Sequence, residues 1–190
     1  MKITPLEIKG AWVADLVVHV DNRGTFQEWF KYDEILTKTG YEFETSQANF
    51  SVSGKNVVRG IHYSLAKEGQ AKWVTCLNGS IRDFIVDIRI GSPTYGQWLT
   101  LDLVAQNAKA ILIGEGLGHA FLALENNTYV SYLLTSKYSS HEEFQINPLD
   151  QSLGIEWGND IDSLIFSDKD YQAPTLMQQS NLNRLPVYSN

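Results

Sequence analysis

Short runs of β-branched and aromatic residues, cut at close intervals by Gly, Asn, Asp and Pro, run from about residue 10 to residue 140. That rhythm allows strands and tight turns and leaves almost no room for long helices. Ala11 to Val20, Thr25 to Phe30, Phe43 to Val52 and Val57 to Ser64 read as strands, with a short helix at Tyr32 to Lys38 stopped by Gly40. Ala71 to Leu77, Asn78-Gly79 and Ser80 to Ile90 read as a β-hairpin, because Asn-Gly is the strongest short turn signal. Along its second arm Arg82, Phe84, Val86 and Ile88 alternate with Asp83, Ile85, Asp87 and Arg89, which fits one apolar face and one face bearing selected polar groups. Gln97 to Val104, Ala108 to Ile113, Ala120 to Leu124 and Thr128 to Thr135 complete the set. The expected fold is all-β, a jelly-roll barrel forming one domain over residues 1–190. Its core spans about 10–140, with loops and short helices packed on it from 141 to 190.

Charge narrows the function. Twenty-two acidic residues against 15 basic give a net charge of −7, so the overall field repels nucleic acid and anionic membranes. An anionic ligand would need cations gathered locally. The single cysteine, Cys76, excludes a disulfide scaffold and a thiolate zinc site, sits mid-strand as core, and fits a reducing cytoplasm. Neither a leader segment nor an apolar stretch of about 18 residues is present, so a soluble cytoplasmic protein is expected.

Four histidines stand at 19, 62, 119 and 141, with no HxH or HxxxH pair. The commonest metal-ligand spacing is therefore missing, and no metal or cofactor is expected. His19 and His141 read as surface or hydrogen-bonded side chains. His62 follows Arg59-Gly60 within a β segment, where glycine marks a bulge or a close approach. Strict alternation places Val58, Gly60 and His62 on one face and Arg59 on the other. A bulge would change that parity, so alternation leaves the pairing of Arg59 and His62 open. Gly114-Glu115-Gly116-Leu117-Gly118-His119 matches neither a P-loop nor a dinucleotide motif, and reads as a turn presenting His119. Thr128, Val130 and Tyr132 share a face, which turns the Tyr132 hydroxyl into the barrel if that face is interior. A tyrosine opposite a histidine makes an acid–base pair.

Several segments in order resemble the dTDP-4-dehydrorhamnose 3,5-epimerase family. They are Asp21-Asn22-Arg23-Gly24, Gln47-Ala48-Asn49-Phe50-Ser51, Asn56-Val57-Val58-Arg59-Gly60-Ile61-His62-Tyr63, Val86-Asp87-Ile88-Arg89 with Ser92-Pro93-Thr94-Tyr95-Gly96-Gln97-Trp98, Glu115-Gly116 with His119-Ala120-Phe121, Gly154-Ile155-Glu156-Trp157 and Ser167-Asp168-Lys169-Asp170. The resemblance implies a cupin-like, metal-independent jelly roll that epimerises a nucleotide-linked 4-keto-6-deoxyhexose through an enolate. It implies a homodimer that exchanges N-terminal strands.

By the same resemblance His62 is the base, Asp170 its carboxylate partner, Tyr132 the proton donor from the other sugar face, and Lys72 the cation at the enolate oxygen with Asp83 as its partner. Arg23 and Arg59 match diphosphate clamps. Glu28, Gln47, Asn49, His119, Glu143 and Lys169 match further substrate contacts, and Tyr138 matches an aromatic stacked on the base. Leu133 after Tyr132, Ser64 after His62-Tyr63, and the Gly114–Phe121 wording depart from the commonest family form. Those departures are closer to the branch acting in antibiotic and surface-polysaccharide deoxysugar pathways, which leaves open inversion at C3, C5 or both, and dTDP or CDP as the carrier. Two rivals stand beside this reading: a non-catalytic sugar-nucleotide binding module and a metal-dependent cupin enzyme.

Overall fold

The computed structural model describes residues 1–158 and 160–189. In chain order the strands are β1 (Lys2–Pro5), β2 (Ala11–Asp15), β3 (Val18–Asp21), β4 (Gly24–Gln27), β5 (Gln47–Ser53), β6 (Val58–Ser64), β7 (Lys72–Asn78), β8 (Ser80–Asp87), β9 (Trp98–Val104), β10 (Lys109–Ile113), β11 (Leu117–Ala123), β12 (Thr128–Leu134) and β13 (Glu143–Gln145). Three short helices accompany them: α1 (Tyr32–Thr39), α2 (Asp168–Tyr171) and α3 (Leu176–Asn181). One antiparallel sheet runs β1-β2-β10-β7-β12-β5 and the other β13-β6-β11-β8-β9, while β3 and β4 form a separate hairpin. This is a jelly-roll arrangement, as the strand rhythm predicts.

Three apolar layers hold it together. Between the sheets, Val74, Cys76, Ile111 and Val130 of the first meet Ile81, Ile85, Leu103 and Phe121 of the second. Outside the first sheet, Ile35 of α1 and Phe43 cover Trp73, Leu112 and Leu133. Outside the second, Leu153, Trp157, Leu164, Leu176 and Leu185 of the C-terminal segment cover Phe84, Val86, Ala120 and Leu122. The alternation in β8 therefore has a clear use. Its apolar face, Phe84 and Val86, turns outward beneath the C-terminal segment, and Asp83 shares the inner face with Ile81 and Ile85.

The expected hairpin across Asn78-Gly79 is not one. The strand β7 pairs with β10 and β12 in the first sheet, whereas β8 pairs with β11 and β9 in the second. The turn is as tight as its sequence implies, with Gly79 at φ 74°, but it carries the chain from one sheet to the other. A Cβ on Gly79 would stand 2.7 Å from Thr128 Oγ1, so the corner admits only glycine. Turn chemistry fixes how sharply a chain reverses, and burial of both strand faces then decides which strands pair. Two smaller differences follow the same logic. The long Ala11–Val20 run breaks after Asp15 to give β2 and β3, and Phe43 leaves the expected strand to sit fully buried against Phe30.

One buried carboxylate organises the connection from β8 to β9. Asp87, with no exposed surface, accepts from Arg89 Nε at 2.8 Å and Nη2 at 2.7 Å, and from Ser92 Oγ and Thr94 Oγ1 at 2.6 Å each. Burial pushes its pKa up, but the donors of Arg89, Ser92 and Thr94 outweigh burial and hold it down at about 2. The Asp87-Ile88-Arg89 and Ser92-Pro93-Thr94 segments are thus a structural clamp. A folded-state pKa below the unfolded value makes this a contribution present above about pH 4 and lost as pH falls towards 2. Asp87→Ala strands Arg89 in the interior and should cost about 3 kcal/mol or more in urea unfolding at neutral pH.

Candidate functional site

A cavity of about 470 Å³ opens between the two sheets, walled by β5, β7 and β12 on one side, β6, β11 and β13 on the other, and residues 165–170 at the rim. The local sequence explains why β6 turns His62 into it. The register pairs His62 with His119 but Arg59 with Phe121, a one-residue shift that marks a bulge. Gly60 sits in the bulge at φ 117°, where an added Cβ would fall 2.5 Å from the His119 carbonyl oxygen. The bulge changes the parity, so Arg59 and His62 line the same cavity.

His62 Nε2 lies 2.7 Å from Asp170 Oδ1. The imidazole is 40% exposed and the carboxylate 6%, so the ring opens to the cavity with the carboxylate behind it. Asp170 is set by α2, whose N-cap Ser167 accepts from the Asp170 backbone N–H. Burial acts to raise the Asp170 pKa, but hydrogen bonds from His62, Ser167 and the Gly60 backbone hold it below the usual carboxylate range. An ionised Asp170 accepts a hydrogen bond from Nε2–H, the tautomer that leaves Nδ1 as the basic nitrogen of His62.

Lys72 opens β7 and is buried, its Nζ donating to the His62 carbonyl oxygen at 3.3 Å. Desolvation pushes this ammonium down to about 8, opposed by Glu143 first and Asp83 second. Tyr132 enters from β12, in register with Asn49 of β5 and Val74 of β7. Thr128 and Val130, on its face, are fully buried, so this face is interior. His62 and Tyr132 therefore approach one cavity from facing sheets, with Lys72 in the wall between.

Of the other expected contacts, Gln47, Asn49, Arg59, His119, Tyr138, Glu143 and Lys169 line the cavity. Gln47 donates to Asn49 Oδ1 at 2.8 Å and accepts from the Tyr138 backbone N–H at 2.9 Å, which sets the exposed Tyr138 at the mouth. Arg59 is aimed by donation to Ser53 Oγ at 3.1 Å. Three expectations change. Asp83 is fully buried and is not a cavity-lining contact; its Oδ2 bonds His119 Nε2 at 2.7 Å, so its direct partner is His119 and it acts on Lys72 only through space. His119 itself lies within β11, beyond the glycine turn, and faces His62 across the ladder. Arg23 and Glu28 lie outside this cavity: Arg23 forks onto Asp21 at the tip of the β3–β4 hairpin, and Glu28 pairs with Lys31. An exposed hairpin has no packing to carry it to the cavity of its own chain.

The sequence reading missed Gln70, Phe121, Gln145 and Ser167, all of which line the cavity. Ser167 carries a signal that was available, since Ser167-Asp168-Lys169-Asp170 is a helix-capping pattern. Gln145 was hidden because β13 is only three residues long. Among the described residues, no group of three or more His, Cys, Asp or Glu is placed to hold a metal ion, and no helix is long and apolar enough to cross a membrane.

The sequence model for dTDP-4-dehydrorhamnose 3,5-epimerase matches residues 5–178. A Streptomyces dTDP-4-dehydro-6-deoxyglucose 3-epimerase is 43% identical over 184 residues, 97% of this chain and 93% of that protein. The dTDP-4-dehydrorhamnose 3,5-epimerase of Mycolicibacterium smegmatis is 42% identical over 190 residues, covering all of this chain and 93% of its own. Among solved structures, the 3'-monoepimerase of Streptomyces bikiniensis in complex with dTDP-quinovose superposes with a TM-score of 0.92 at 42% identity, over 97% of this chain and 92% of its own. With likeness in sequence and in fold running nearly end to end, the chain belongs to the dTDP-4-dehydrorhamnose 3,5-epimerase family.

Proposed function

We propose that the protein epimerises a dTDP-linked 4-keto-6-deoxyhexose by proton removal and return next to the C4 carbonyl. The observation that carries this is the single cavity in which the His62–Asp170 pair, the Lys72 ammonium and the Tyr132 phenol converge from facing sheets. Nδ1 of His62 takes the C3 proton, the C3–H electron pair becomes the C3=C4 double bond, and the carbonyl π pair moves to the oxygen, giving an enolate. A buried ammonium beside that oxygen stabilises the developing charge far better than one in water. Tyr132 O–H then protonates C3 from the opposite face; the imidazolium and phenolate lose and regain protons through solvent, so the net change is an isomerisation.

Inversion at C3 is supported by its presence in both kinds of relative, the 3-epimerase and the 3,5-epimerase. Inversion at C5 asks the same groups to reach a second carbon. Relatives named for dTDP sugars favour dTDP over CDP as the carrier. Arg59 and Lys169 offer the diphosphate its local cations, and Tyr138 offers the base a stacking surface.

We place the working form as a homodimer. The β3–β4 hairpin projects Val20 and Phe26 into solvent, and β5 ends its sheet with Phe50 and Val52 exposed. Exchange of N-terminal strands would cover such surface and carry Arg23 and Glu28 to the partner's cavity. The lone buried Cys76 fits a cytoplasmic location.

Proton NMR of dTDP-4-keto-6-deoxyglucose in D₂O reads the chemistry directly. Deuterium should enter C3, and His62→Ala should slow that entry by about 10³-fold or more. No exchange in the wild-type protein overturns the proposal. Tyr132→Phe separates the two faces: C3 exchange on the His62 side should persist within about tenfold while the epimer yield falls by about 10²-fold. Lys72→Met should cut exchange by about 10²–10³-fold, the cost of losing an oxyanion contact. For the dimer, chains bearing His62→Ala and Arg23→Ala, inactive alone, should recover about a quarter of the wild-type sites when unfolded and refolded together in equal amounts, since half the dimers then hold one intact site. No recovery shows that Arg23 does not act across the dimer.

A further inference from the structure

We propose that Gln70 is a positioning residue: it tethers Glu143 beside Lys72, and through that carboxylate keeps the lysine an ammonium in the cavity wall. The inference rests on the enolate reading and adds a group that touches neither the base nor the proton donor.

Gln70 is buried, stands two residues before Lys72 in the segment leading into β7, and lines the same cavity. Its Nε2 donates to Glu143 Oε1 at 2.7 Å and to Ser136 Oγ at 3.1 Å, so both amide hydrogens are spent. Those bonds tie β13 to the turn that follows β12. Glu143 needs such a tie. It begins a three-residue strand, is half-buried, and has water within reach; a free glutamate there gains rotamer entropy by swinging outward.

Lys72 is the group that would feel the loss. Its ammonium has three donors, and its one hydrogen bond among the described residues goes to the His62 carbonyl. The charged and titratable groups around it are Glu143 on β13, Asp83 on β8 with His119 on β11, His62 on β6 with Asp170 on α2, Tyr132 on β12, and Arg59 and Lys169 at the rim. Asp170 and Asp83 each bond a histidine, whereas among the described residues the Glu143 side chain bonds the neutral Gln70 amide. Burial drives Lys72 down to about 8, and Glu143 is the largest influence opposing it. Enolate stabilisation needs the protonated form, so exchange must fall as pH rises through this value. Loosening Glu143 must move that fall to lower pH.

The test is the pH profile of C3 deuterium exchange and of epimerisation, with dTDP-4-keto-6-deoxyglucose, for wild type, Gln70→Leu, Glu143→Gln and the double variant. Gln70→Met, of matching length, replaces Gln70→Leu should the latter not fold. In Gln70→Leu the alkaline limb should shift down by about one pH unit, giving about fivefold lower kcat near pH 8, about tenfold lower above about pH 9, and less than about twofold loss near pH 6.5. KM should stay within about twofold. Glu143→Gln should shift the limb the same way, and adding Gln70→Leu should shift it no further, because Gln70 acts only through Glu143. A loss equal at every pH, a raised KM with an unmoved limb, or an additive double variant overturns the proposal. Wild-type protein with no exchange at all overturns instead the enolate reading on which it stands.

Discussion

An ionised carboxylate taken between two sheets costs several kcal/mol unless donors meet it, and this molecule buries three on β8 and α2. Each is met differently. Asp87 takes four side-chain donors and becomes a rigid structural clamp. Asp170 takes His62, the Ser167 cap and the Gly60 backbone N–H, and so orients the imidazole. Asp83 takes only His119 on one oxygen, while its other oxygen has no hydrogen bond. The first two arrangements are saturated. The third is left with spare negative charge next to the cavity wall, where Lys72 feels it.

Lys72 shows the opposing cost. Its folded-state pKa lies below the unfolded value of 10.5, so the unfolded chain binds the proton more tightly between about pH 8 and 10.5. Stability therefore rises with pH across that window, and at neutral pH the fold carries the ammonium at its own expense. The oxyanion stabilisation proposed for Lys72 requires this, because a well-solvated ammonium would exert little field on substrate. The three apolar layers supply the stability that the cavity wall forgoes.

The Gly60 bulge links backbone geometry to chemistry. Without the extra residue, Arg59 would point to the opposite side of β6 from His62. With it, the Arg59 guanidinium and the His62 imidazole serve one cavity, and the His119 backbone can approach within a distance that no side chain at residue 60 would allow. A substitution there would therefore disturb the relation between Arg59 and His62 before it disturbed either group alone.

Much was legible in the residues themselves. The alternation put Tyr132 on one face with Thr128 and Val130, a face that burial then turned inward, Gly40 ended α1 where expected, and the spacing of strands and turns gave an all-β fold. Local patterns of this kind survive because a strand face or a turn is fixed by a few neighbouring residues. The Asn78-Gly79 corner, the partner of Asp83 and the placement of Gln70 and Gln145 in the cavity wall were not legible, since each depends on which strand arrives alongside from far away in the chain. The chain alone determined the strand rhythm, the acidic balance and the residue types able to move a proton. Only the closing of two sheets over one another decided which of those residues share a cavity, because burial, register and a single bulge set direction and distance across gaps of a hundred residues.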